Sequence, residues 1–398
     1  MAQNQNQASV KTLQDSPLFQ LSLTSKELFH SNFLYWLGVT YQDLFKETFS
    51  NLGCRTAAWP EDWTVEREYK AAKSISLDLC VKGPGKKGKI YLILENKVKS
   101  IPNQQQLNRY AANGNLADTC DFILLSLATD FPDKDQIDAN SGGKWIVWNY
   151  GDLATALPNA LSSYVSSVSS VPKVSTYHEE IIKDYIQLVE ELHRLFGNLT
   201  VDDNDRYCDN VSQVYANLRM DDVYEKVRTS SIVEKLAERL RQRLQAKFPN
   251  QINLIQSGYK IGDIGKPLEI PLTKVYVDSG YTNKQGVVDA KVKINDRYVL
   301  TVQIQGKQYR HAIEWFNTVQ DQWEQTQQEK LPSDWFSSTA HGNQLDGQTK
   351  DYCKYVDKKS NSIFLYRYRK IGKDEKVSDV LGEVVDDICH IFETYGQH

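Results

Sequence analysis

Residues 74–99 read SISLDLCVKGPGKKGKIYLILENKVK, two apolar runs around a loop with three glycines and a proline. Two β-forming runs divided by such a break predict an antiparallel hairpin, and a hairpin sets its register from the loop outward. Asp78 then falls within a residue or two of Glu95. Residues two apart on a strand share a face, so Glu95 and Lys97 point the same way. Two carboxylates and an ammonium converge at one end of a strand pair that is otherwise apolar. An exposed Glu–Lys pair at a strand end would be worth little. The run Tyr91-Leu92-Ile93-Leu94 leading into Glu95, and the LDLCV around Asp78, argue instead for buried strands, which rarely carry charges without partners.

These residue types suit a hard divalent cation, Mg²⁺ or Mn²⁺, which takes one or two carboxylates and keeps several waters. Asp78 and Glu95 supply the carboxylates and the Asn96 main-chain carbonyl a further oxygen. A cation so held polarises a phosphodiester and lowers the pKa of a water. Lys97 stands where it can orient that water and offset charge developing on the phosphate.

The flanking segments fit around the hairpin. LTSKELFHSNFLYWLGVTYQDLFKETFSNLG (23–53) has Leu28, Phe29, Phe33, Trp36, Leu37, Leu44 and Phe45 at helical spacing, with Gly53 as a stop. WTVEREYK (63–70) predicts a strand before the hairpin. NQQQLNRYAANGN (103–115) predicts a helix after it, and DFILLSLA and KWIVWNY predict two more strands. On that helix Gln106, Arg109 and Tyr110 lie on neighbouring positions of one face.

Asp78 followed by Glu95-x-Lys97, inside the order αβββαβ, resembles the PD-(D/E)XK nuclease superfamily, the fold of type II restriction enzymes and RecB-type nucleases. Gln106-x-x-x-Tyr110 resembles the Q-x-x-x-Y motif of the RecB-like branch, and SKELFHSNFLYWL resembles the opening helix of a bacterial subgroup. The resemblance covers about residues 20–150, and Leu77 stands where the motif's proline would be. It implies a restriction-endonuclease-like α/β fold and a metal-dependent nuclease acting on nucleic acid, most readily DNA, in defence, restriction or repair. It implies Asp78 and Glu95 as metal ligands, Lys97 as the catalytic lysine, and Gln106 and Tyr110 as supports for site and substrate. It adds Glu27, on the opening helix, as a further metal ligand. Two readings compete with it: a nucleic-acid-binding protein of the same fold, inactive or dependent on a partner, and an interaction protein whose hairpin acids only make surface salt bridges.

Weaker signals surround this core. Glu66 and Glu68 either complete the acidic site, Glu68 being the nearer, or belong to a solvated strand face. Lys82, Lys86, Lys87 and Lys89 cluster at the hairpin turn and are either phosphate contacts or solvated loop lysines. Lys99, Asn103 and Arg109 are the better-placed candidates for nucleic-acid backbone contacts. The three tryptophans Trp315, Trp323 and Trp335 fit core packing better than base stacking.

The Ser-rich SSYVSSVSSVPKVS (162–175) predicts the domain boundary. The expected organisation is a nuclease-like domain over 1–165, a linker and helical segment over 166–250, and an α+β domain over 251–398. In the last, VVDAKVKINDRYVLTVQIQGK sets Asp289 and Gln303-x-Gln305 where Asp78 and Glu95-x-Lys97 stand. The spacing shrinks from 17 residues to 14. That parallel leaves two readings, a degenerate and inactive copy of the same fold or only the common hairpin-then-helix unit, each with a helix from about Arg310 to Gln328 after the hairpin.

Composition narrows the class. A net charge of −4 announces no global polyanion partner, so nucleic acid must be met locally. The six cysteines form no CxxC and stand at no zinc-ligand spacing to histidine, which points to a reducing cytoplasm. MAQNQNQASVK lacks the apolar core of a signal peptide, and no run approaches the ~20 apolar residues of a membrane span. The absence of a GxxxxGK[ST] loop leaves any ATP-driven step to another subunit, so a partner protein or a homodimer remains open.

Overall fold

The computed structural model describes residues 2–23, 26–73, 75–85, 88–98, 104–116, 119, 121–127, 145–166, 174–197, 199–208, 212–250, 254–256, 274–282, 284–294, 298–315, 335–347 and 363–395. They divide into two compact units, residues 1–199 with 213–227, and residues 200–212 with 228–398. None of the described helices is long and apolar enough to cross a membrane.

The first unit is built on a five-stranded mixed sheet in the order β1 (Thr64–Ala72), β2 (Ile75–Lys82), β3 (Ile90–Lys97), β4 (Asp121–Ser126), β5 (Trp145–Asn149). β1, β2 and β3 run antiparallel in turn, while β3–β4 and β4–β5 are parallel. The hairpin loop closes through the Gly83 amide, which donates to the Lys89 carbonyl at 2.8 Å. Gly88 is required there: a Cβ would lie 2.1 Å from the Gly83 carbonyl oxygen. Parallel pairing of β3 and β4 demands a crossover, and α5 (Gln104–Ala111) lies in it.

Alternation along the strands sorts side chains into two layers. Leu92 and Leu94 of β3, with Ile123 and Leu125 of β4, enter the larger core, together with α3 (Lys26–Thr40), α4 (Gln42–Asn51) and the helices Tyr150–Ser166 and Thr176–Leu192. Ile93, Phe122 and Leu124 face the other way, against Leu107 and Tyr110 of α5. Fully burying one such aliphatic side chain is worth roughly 1.5–3 kcal/mol, and both faces are lined with them. The central strands are therefore rigid at the point where their charged residues begin.

Two expectations need correction in this unit. The opening amphipathic helix is two, α3 and α4, divided at Tyr41, whose φ of −133° and ψ of 67° leave the helical region. The Gln/Asn-rich start is helical as well, α1 (Ala2–Asp15), followed by α2 (Pro17–Ser22), and Leu13 and Phe19 from them are buried in the core. The boundary expected at 162–175 does not divide the core: the helix Tyr150–Ser166 buries Leu153, Leu157 and Leu161, and Thr176–Leu192 buries Ile182, Tyr185, Leu188 and Val189, in one cluster, while residues 167–173 lie outside the described residues.

The second unit carries a six-stranded sheet in the order β11 (Ile363–Lys370), β10 (Gln308–Trp315), β9 (Tyr298–Gln305), β8 (Gln285–Lys293), β7 (Val275–Thr282), β6 (Ile255–Gln256). It is antiparallel throughout except for the short β6–β7 pair. The helix Val377–Tyr395 packs on it with Val380, Leu381, Val384 and Ile388. Arg310–Trp315 is strand, not the start of a helix; it is paired along its length on both sides. The alternation of buried His311 and Ile313 with Arg310 and Glu314 has period two. The rest of that predicted helix, including Trp323, lies outside the described residues. β9 thus turns directly into an antiparallel β10, whereas β3 crosses over to a parallel β4. The unlike strand orders overturn the degenerate copy.

Candidate active site

Leu79 pairs with Leu94 and Cys80 with Ile93, so continuation of the register sets Asp78 opposite Glu95. β1 adds a third acid to that row. Arg67 pairs with Leu79 and Tyr69 with Leu77, leaving Glu68 across from Asp78. Glu68 has a φ of 49°, a conformation most side chains avoid, and its side chain is exposed.

Glu95 is 2% exposed, and its two oxygens have different surroundings. Oε1 accepts from Lys97 Nζ at 2.7 Å and from Gln106 Nε2 at 2.6 Å. Gln106 Nε2 also donates to the Tyr110 hydroxyl at 2.9 Å, and that hydroxyl donates to the Ser76 carbonyl of β2 at 2.8 Å. One turn of α5 therefore ties β2 and β3 together and holds Glu95 by a single oxygen. Oε2 is buried and accepts no hydrogen bond among the described residues.

Asp78 is held from the main chain, its Oδ2 accepting from the Asn96 amide at 2.8 Å. Burial raises the Asp78 pKa, with the charges of Glu27 and Glu68 adding to it and the Asn96 amide and Lys97 opposing. Glu95 is pushed up to about 7, first by burial and then by the charge of Asp78, against the pull of Lys97 and Gln106. Burial disfavours the Lys97 ammonium, but the carboxylates of Glu95, Asp78 and Glu27 outweigh it and raise its pKa. The cluster thus holds more acid than one lysine balances.

The Asn96 side chain points to the opposite face. Its Nδ2 donates to the Glu27 carbonyl at 2.9 Å and lies 3.4 Å from Ser31 Oγ, while its Oδ1 accepts from the Tyr150 hydroxyl at 2.8 Å. The first turn of α3 is pinned at the strand end in this way, with Glu27 near enough for its charge to act on both Asp78 and Lys97. No local signal announces the Tyr150 contact, which joins residues 54 apart in sequence.

The structure brings together Asp78, Glu95, Lys97, Gln106 and Tyr110, with Glu27 and Glu68 at the margin. Arg109 is exposed, its guanidinium 5.7 Å from the Tyr110 ring centre. Lys82 is committed elsewhere, buried and paired with Glu66 at 2.6 Å, and Lys89 lies over the Tyr91 ring. Lys86, Lys87, Lys99 and Asn103 lie outside the described residues.

The donor set fits a hard divalent cation. A buried carboxylate oxygen without a donor is costly, and Glu95 Oε2 is such an atom beside a second carboxylate. Among the described residues no three His, Cys, Asp or Glu side chains form a complete cage; a cation that keeps its waters and uses one or two carboxylates needs none.

Residues 39–187 match the family model described as the PD-(D/E)XK nuclease superfamily. The matched stretch includes the whole five-stranded sheet and ends within the helix Thr176–Leu192. No curated protein and no solved structure matches the chain.

Proposed function

From the match of residues 39–187 to the PD-(D/E)XK nuclease superfamily model and the geometry of the site, we propose a nuclease that hydrolyses phosphodiester bonds in DNA with Mg²⁺ or Mn²⁺. The observation that carries the reading is the divided Glu95 carboxylate. Oε1 is occupied by Lys97 and Gln106, and Oε2 is open and buried. Asp78 and Glu95 would hold the cation, with the Asn96 carbonyl, Glu27 and Glu68 as further oxygens. Such an ion supplies Lewis-acid polarisation of the phosphate and a water of lowered pKa.

The protein's own groups do the rest. Lys97, kept charged by the surrounding acids, donates toward the attacking water and the phosphate oxygens. Its tie to Glu95 Oε1 holds the ammonium within reach of both. Gln106 and Tyr110 prevent Glu95 from rotating its occupied oxygen into the site, which fixes the direction of Oε2. Arg109 is a contact for the nucleic-acid backbone in this reading, with Lys99 and Asn103, which neighbour the site in sequence and lie outside the described residues; such contacts position the substrate without reading its sequence. Bacterial defence, restriction or repair is the setting this activity suits.

Incubation with linear, circular and single-stranded DNA, and with RNA, in Mg²⁺ or Mn²⁺ tests the reading. Cleavage of DNA by the wild type, abolished by chelator and by Lys97→Ala, is the expected result. Cleavage that survives Lys97→Ala would contradict it.

A further inference from the structure

The Glu95 face of β3 is organised by α5, yet the opposite face carries an equally complete network. Asn96 is fully buried between the two charged residues. Its amide hydrogens go to the first turn of α3 (the Glu27 carbonyl and Ser31 Oγ), and its main-chain N–H goes to Asp78. Of the Asn96 side chain only Oδ1 remains, and the Tyr150 hydroxyl supplies its donor. Tyr150 opens the helix after β5 and is itself fully buried. β3, β4 and β5 set Asn96, Leu125 and Trp148 in one row, so Tyr150 follows two residues after the row that contains Asn96.

This contact has a directional consequence. An Asn side chain can exchange its oxygen and nitrogen by a half-turn. In the exchanged state the Asn96 oxygen would face the Glu27 carbonyl, acceptor against acceptor. A donor fixed at the other end makes the observed orientation the one in which every group is satisfied. The Tyr150 hydroxyl is that donor, 2.8 Å from Asn96 Oδ1. Beside it His30 stands edge-on at 5.0 Å between ring centres and contacts the Tyr185 hydroxyl, a parallel tyrosine–histidine pair that does not touch Asn96.

We infer that Tyr150 is a positioning residue for the cation site: by orienting the Asn96 side chain it holds Glu27's helix turn and the Asp78-binding peptide in register with Glu95. The inference rests on the metal-dependent reading of Asp78 and Glu95. Groups that orient metal ligands without touching the ion commonly change affinity by 10–100-fold when removed.

Calorimetric titration of the full chain with Mn²⁺ tests this without relying on cleavage. Tyr150→Phe should weaken Mn²⁺ binding about tenfold. Tyr185→Phe, an equal loss of a buried hydroxyl, should leave binding within about twofold of wild type. Asn96→Ala should weaken binding at least as much as Tyr150→Phe, and combining the two should add little, as for residues acting as one unit. If Tyr150→Phe proves too unstable to titrate, Asn96→Ala compared with Tyr185→Phe decides the matter by the same criterion. Unchanged affinity in Tyr150→Phe, or an equal loss in Tyr185→Phe, would overturn the inference while Asp78→Ala still abolishes binding. Wild-type Mn²⁺ affinity in Asp78→Ala would instead remove the metal reading and this inference with it.

Discussion

The hairpins β2–β3 and β8–β9 share a register and differ in almost everything that register is used for. Asp78 stands opposite Glu95 in one, and Asp289 opposite Gln303 in the other. Each has a further acid on the preceding strand, Glu68 and Asp278. In the second hairpin the polar groups close on themselves. Gln303 Nε2 donates to Asp289 Oδ1 at 2.9 Å, Lys291 lies 3.4 Å from Asp289 Oδ2, and Lys291 also pairs with Glu314 at 2.6 Å. In the first, Glu95 keeps one oxygen open. A paired row of polar residues on a sheet is therefore not by itself a site. What separates the two is the next connection: β9 turns tightly into β10, whereas β3 leads to α5, which brings Gln106, braced by Tyr110, to one oxygen of Glu95 only.

The largest expected effect is on cleavage. Asp78→Ala, Glu95→Gln or Lys97→Ala should each lower nuclease activity at least about 100-fold, while Asp289→Asn and Gln303→Ala should stay within about twofold of wild type. Equal losses from both hairpins in a gel-based cleavage assay would break the distinction. Next in size is the brace. Gln106→Ala should lower activity roughly tenfold, because Glu95 loses one of the two donors that set its direction. Unchanged kinetics would show that Lys97 alone suffices.

How much of this was legible in the sequence follows from which contacts are local. The hairpin register could be read because its loop is short and bounded by glycines, and Glu95 with Lys97 because strand alternation is strict. Gln106 and Tyr110 were readable as one helix face, although not the asymmetry they impose on Glu95. The break at Tyr41 was not readable, since the apolar spacing of α3 and α4 runs through it. Arg310–Trp315 misled because Trp315 and the aromatic residues after it mimic a helical stripe. Pairing with β9 and β11, which no local pattern encodes, decided for strand. The Asn96–Tyr150 contact is long-range, and the serines at 162–166 suggested a linker although they continue the helix Tyr150–Ser166 on its exposed side.

A smaller effect concerns stability in the absence of a divalent cation. With Glu95 raised from 4.5 to about 7, the native carboxyl keeps a proton between those values that the unfolded chain has lost. Its contribution is full below pH 4.5 and is lost as pH rises through 7, at a cost on the order of 3 kcal/mol. Asp278, raised from 3.8 to about 6 by burial and by Asp289, has the same sign over a lower and narrower window. Thermal melts of the chelated protein should therefore show Glu95→Gln more stable than wild type at pH 7–8 and Asp278→Asn already more stable at pH 6. Mn²⁺ should raise the melting temperature of wild type and of Asp278→Asn, but not of Glu95→Gln. A Mn²⁺ shift that persists in Glu95→Gln would place the cation elsewhere.

The most direct test is a crystal grown with Mn²⁺ and measured for its anomalous signal. The account predicts a peak within coordination distance, about 2.1 Å, of Glu95 Oε2 and an Asp78 oxygen, with Lys97 and Gln106 still on Oε1. An ion bound only elsewhere, with Oε2 left bare in crystals shown to hold Mn²⁺, would contradict it.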